Sequence, residues 1–124
     1  MNMLLPPSRT EVKQGQIERF TRMYLKIRER LGPDTAEEHC LCNQIVIALW
    51  HSRGFETRAW IHEKETLKLE RAGGDAAHLA KLKEELKFAN MHAKKQKNFA
   101  WRRRGKFFEM KTIREDLERR PKAA

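Results

Sequence analysis

The sequence predicts an all-α protein: a small bundle of three to five helices with a long basic C-terminal helix or helical hairpin. Three observations point there. Apolar residues recur at helical steps, most clearly Ile17, Phe20, Tyr24, Ile27 and Leu31, spaced 3, 4, 3 and 4. Capping and stop signals punctuate the chain at "GPD" (32–34) and "GGD" (73–75). Only four prolines and six glycines occur in 124 residues, too few for a sandwich of many short strands. That length suits a single domain spanning 1–124, with 1–7 and 121–124 expected to fray. A charged share of 35% against an apolar share of 40% implies thin, solvated elements with narrow apolar stripes.

The elements follow in order. Ser8 with Glu11 matches a capping box and opens the first helix. The Ile17–Leu31 stripe defines its buried face, and Arg19, Arg22, Lys26 and Glu29 lie off it. Gly32 suits the position just past a helix, Pro33 cannot continue it, and Asp34 with Glu37 repeats the capping-box spacing. A second helix is expected from about residue 35 to Arg53, ended by Gly54. Its "CNQIVIALW" half is apolar nearly all round, as in a central, buried helix.

Beyond it, Phe55, Thr57, Ala59 and Ile61 alternate as a strand would, whereas Trp60, Lys64, Leu67 and Arg71 fit a helical stripe. With no second strand to pair with, helix is the better assignment. Asp75 can cap the helix after the double glycine. Leu79, Leu82, Leu86, Ala89 and Ala93 then form a narrow seam that shrinks from leucine to alanine. Such a seam suits a dimer as well as a monomer. It fades after Ala93; Gly105 is expected to break the helix, and Met110, Ile113 and Leu117 make a last stripe ended by Pro121.

Charge is unevenly placed. The chain has 27 Lys or Arg against 17 Asp or Glu, a net charge of +10. Residues 86–108 hold eight of the bases and no acid, so the remainder is close to neutral. Within it, "KKQKNFAWRRRGKFF" (94–108) interleaves the cations with four aromatic rings. Phosphates attract such a segment through counterion release, and arginine adds two-pronged hydrogen bonding. Rings beside arginine can stack unpaired bases. At least half of the rings are expected to be buried anchors, Phe99 and one of Phe107 and Phe108 among them, with Trp101 nearer the surface.

Catalytic and metal chemistry find little to work with. In "HCLC", Cys40 and Cys42 would point about 200° apart on a helix, leaving only His39 and Cys42 on one face. No second cysteine pair completes a four-ligand zinc site, so both cysteines read as free, small core thiols. "HEKET" has Thr66 where a zincin helix needs its second histidine. The two serines, Ser8 and Ser52, lack a nucleophile-elbow context, and no phosphate-binding glycine loop occurs. The stretch around Gly54 fits a helix-turn-helix poorly, because Trp50 stands where tight packing wants a small residue.

No apolar run approaches the length of a membrane span, the N-terminus lacks the pattern of a signal peptide, and the expected compartment is the cytoplasm. The resulting expectation is a non-enzymatic nucleic-acid-binding protein with no cofactor and no metal. Its contacts to DNA or RNA phosphates would come from Lys94, Lys95, Lys97, Trp101, Arg102, Arg103, Arg104 and Lys106. The alternative is a protein-binding adaptor or inhibitor of a larger nucleic-acid-handling complex, docking through the same block or the leucine seam.

Overall fold

A computed structural model describes residues 16–120. Among these residues the protein is entirely helical, with α1 (Ile17–Leu31), α2 (Ala36–Arg71) and α3 (Ala76–Arg119) and no strand. The expected cap at Ser8 and Glu11 and the stop at Pro121 lie outside the described residues. The helices divide between two compact units, one of residues 16–47 and 99–120, the other of residues 48–98.

The first unit gathers α1, the start of α2 and the C-terminal part of α3. Its apolar core comes from all three: Phe20, Met23, Tyr24 and Leu31 from α1, Leu41, Cys42, Ile45 and Val46 from α2, and Ala100 and Phe107 from α3. The α1 stripe is as expected, with Ile17 and Ile27 half-buried at its margin. Gly32 ends α1 in the left-handed region (φ 61°, ψ 56°), and its N–H donates to the Arg28 carbonyl. A side chain there would meet the following carbonyl, so glycine is the natural residue. Two carbonyls at this helix end, those of Leu31 and Gly32, accept hydrogen bonds from Lys111 Nζ at 2.8 and 3.0 Å. A cation on the negative end of a helix is favourable both as a donor and against the dipole.

The cap of α2 sits one residue later than the Asp34–Glu37 spacing implies. Thr35 Oγ1 accepts the Glu38 N–H at 3.1 Å, and Glu38 Oε1 accepts the Asp34 N–H at 3.0 Å. Asp34 and Glu37 are both exposed, whereas Glu38 is buried and ligated by Arg114. The buried partner therefore selects between two overlapping boxes that look alike as sequence.

Gly105 does not break α3. A glycine inside a helix costs only about 1 kcal/mol relative to alanine. Burial of Phe107 alone supplies about 1.5–3 kcal/mol. The last expected stripe also differs: Met110 is half-buried, but Ile113 and Leu117 face solvent. The inward face of α3 here runs instead through Ala100, Arg103, Phe107, Met110 and Arg114, at alternating steps of three and four.

The second unit is a helical hairpin. The residues of α2 that turn inward are Ala48, Ser52, Phe55, Ala59, His62, Thr66 and Leu69; those of α3 are Leu79, Leu82, Leu86, Ala89, Ala93 and Gln96. Both series alternate steps of three and four, the repeat of a left-handed coiled coil. The α2 helix passes unbroken through Gly54, which is exposed and off this seam, so the strand-like alternation from Phe55 gives way to the heptad.

Most fully buried seam residues are small, which lets the helices approach closely. Ser52 Oγ donates to the Ala93 carbonyl at 2.9 Å, a side chain reaching the opposite backbone. The turn carries the predicted signals. Gly73 has φ 65°, its N–H donates to the Glu70 carbonyl, and the Gly74 N–H donates to that of Leu69, a Schellman closure. Asp75 Oδ1 then accepts the Ala77 N–H at 3.2 Å, capping α3.

Candidate functional site

The cations of α3 separate into two classes. Downstream of Lys106 they are used internally or paired. Arg114 Nε donates to Glu38 Oε2 at 2.7 Å, Nη2 to Glu38 Oε1 at 3.3 Å and to Asp34 Oδ2 at 3.0 Å, and Nη1 to Glu118 Oε1 at 3.1 Å. Burial by itself would push the Glu38 carboxyl up; the Arg114 hydrogen bonds, the Asp34 N–H and the Thr35 hydroxyl outweigh it and hold the group below its ordinary value. Hydrogen bonds to Glu38 first, and to Glu118, hold the guanidinium above its own ordinary value. Arg119 and Arg120 pair with Glu115 and Asp116 one turn back.

The eight residues singled out in the sequence behave otherwise. In the hairpin unit, Lys94, Lys95 and Lys97 are all exposed. In the three-helix unit, Trp101, Arg102, Arg104 and Lys106 are exposed and Arg103 is half-buried. Among the described residues none of these cations makes an ion pair with a carboxylate. Residues 86–108 carry no acid by sequence, and among the described residues none pairs with these cations from elsewhere in the fold.

The rings in this segment divide unequally. Phe107 is completely buried and anchors the helix, and Phe99 is half-buried. Phe108 is 41% exposed and Trp101 is 70% exposed, so full burial takes one ring of four rather than half of them. Arg103 lies over the Phe99 ring at 4.9 Å, which accounts for its partial burial at a seam position. Arg104 lies 5.5 Å from the Trp101 centroid and 5.4 Å from that of Phe108. Phe107 and Phe108 meet edge to face at 5.6 Å, so the exposed ring is braced by the buried one.

Phe108 is absent from the eight residues expected to bind, yet the structure places it at the surface beside them. The signal that could have found it is its spacing: positions 101, 104 and 108 fall on one helical face at steps of three and four.

Elsewhere, His39 and Cys42 are both buried on α2, and among the described residues no three His, Cys, Asp or Glu side chains gather as metal ligands. Both cysteines are free; burial pushes the Cys42 thiol up to about 11, against a smaller opposing pull from Arg28. No described helix is long and apolar enough to cross a membrane. Comparison with protein-family models, curated proteins and solved structures finds no match.

Proposed function

We propose that this is a non-enzymatic nucleic-acid-binding protein, a small cytoplasmic helical bundle whose basic α3 contacts the phosphates of DNA or RNA. The observation that supports the reading most is that, among the described residues, no carboxylate pairs with any cation from Lys94 to Lys106, all of them exposed except the half-buried Arg103. Further along α3 the same fold pairs or internally bonds Lys111, Arg114, Arg119 and Arg120, so the two stretches of this helix use their cations differently. Leaving seven cations without a carboxylate partner favours a polyanion, because each phosphate neutralised releases a condensed counterion.

Salt-titrated binding tests it. Affinity should fall steeply with salt for every sequence tried. Replacing Arg102, Arg104 and Lys106 together by alanine should flatten the log–log slope by about 2–3 units. Undiminished binding by that variant would refute the proposal. A second reading, a protein-binding adaptor, draws support from the hairpin unit, where Trp60, Ile61, Leu67, Phe88 and Met91 are exposed. That reading predicts no binding to bare oligonucleotides and a protein partner lost on substituting Trp60 and Phe88.

A further inference from the structure

We infer that the ligand of this segment is a single strand, and that Trp101 is the platform on which one of its bases stacks, with Phe108 beside it. The inference rests on the nucleic-acid reading above and goes beyond it, since phosphate attraction alone does not distinguish strand number. Trp101 is the most exposed large apolar side chain among the described residues, at 70%. Arg104, one turn further along the same face, holds its guanidinium 5.5 Å from the Trp101 centroid, so a ring that would ordinarily be covered stands exposed beside a cation instead.

The geometry around it is already assembled. The Arg104 guanidinium lies close to both the Trp101 and Phe108 rings, and Phe108 is held edge-on by the fully buried Phe107. An aromatic ring with an arginine held against it is the pairing that binds unstacked bases, because every base offers a π-face while the guanidinium meets the adjoining phosphate. A duplex keeps its bases stacked inside and offers this ring nothing to stack on. Against a duplex Trp101 would be a bulky obstacle on the helix face that should lie along the groove.

The test compares binding of a labelled oligothymidylate, a duplex of equal length and an abasic strand of equal length and charge, at fixed salt. The oligothymidylate should bind tightest, with quenching of Trp101 emission in a background carrying both Trp50→Phe and Trp60→Phe, which leaves Trp101 as the one tryptophan. Trp101→Ala should weaken binding to it by roughly 5- to 150-fold. Trp101→Phe should recover part of that loss, and neither variant should change binding to the abasic strand. At so exposed a position the helical content should stay the same, which circular dichroism checks.

Equal or tighter binding to the duplex, equal binding to the abasic strand, or no loss in Trp101→Ala would overturn the inference while the salt-dependent phosphate reading stood. Absence of salt-dependent binding to all three probes would remove both together.

Discussion

The Arg114 guanidinium grips the Glu38 carboxylate with two hydrogen bonds, at 2.7 and 3.3 Å, across 76 residues of sequence. Glu38 is almost wholly buried, so its charge is tolerable only while these donors are present. Arg114→Ala should therefore lower the melting temperature much more than Arg22→Ala, which removes an exposed pair one turn apart. Arg114→Lys should fall between the two, since an ammonium cannot reproduce the fork. The pH dependence follows from the same carboxylate. Its folded pKa is depressed, so its contribution is complete above the ordinary value of 4.5 and is lost as pH falls through the folded value. Melting temperature should drop on acidification below that point, and Glu38→Gln should flatten the acid limb. An unchanged limb would show that Glu38 does not govern it.

Glycine substitutions should change sign along the chain. Gly32→Ala places a Cβ in the left-handed region and 3.0 Å from Lys111 Nζ, and should cost about 1–2 kcal/mol. Gly54 and Gly105 sit in helix interiors, where a Cβ would meet nothing within 4 Å, and alanine at either should stabilise by about 0.5–1 kcal/mol. Chemical denaturation of the three single variants measures this directly.

The hairpin seam should tolerate loss better than gain. Ser52→Ala removes one buried hydrogen bond to the Ala93 carbonyl and should cost about 1 kcal/mol. Ala89→Leu forces bulk into a site with no exposure and should cost about 1–3 kcal/mol, with a lower melting midpoint read by circular dichroism. If Ala89→Leu were the milder of the two, the close approach of the helices would be wrong.

Cys42 should resist alkylation in the folded protein. Its thiol is raised to about 11, so almost none is thiolate near pH 8. Mass spectrometry after iodoacetamide should find Cys42 unmodified until denaturant is added. The sign for stability is the reverse of that for Glu38. Between the ordinary value of 9.0 and about 11 the unfolded thiol has released its proton while the folded one retains it, so stability declines as pH rises through that window.

Much of this architecture is legible locally, and the departures have a common cause. The α1 stripe, the Gly32 stop and the Gly73–Gly74–Asp75 turn depend on neighbours in sequence, and each stands as expected. Gly54 and Gly105 mislead because their local helix penalty is outweighed by burial that distant residues supply. Thr35–Glu38 and Asp34–Glu37 are equivalent as patterns; only Arg114, far along the chain, separates them. The alanine seam looks as if it fades because its later members, Gln96 and Arg103, are polar, although the three–four spacing continues past them. Within the candidate site, exposure of Trp101 is legible from the surrounding charge. The exposure of Phe108 is legible only through its three–four spacing from Trp101 and Arg104, because two adjacent phenylalanines taken by themselves give no sign of which one turns inward.

Lys111 reaches the end of α1 from 80 residues away, and this sets an order of events on the ribosome. A nascent chain can coil α1 early, but the ammonium that closes its last turn emerges only after α2 and most of α3. At about 5–20 residues per second that wait is on the order of 4–16 s. Until then the carbonyls of Leu31 and Gly32 have only water to bond, so the last turn of α1 is the part of that helix whose closure comes latest.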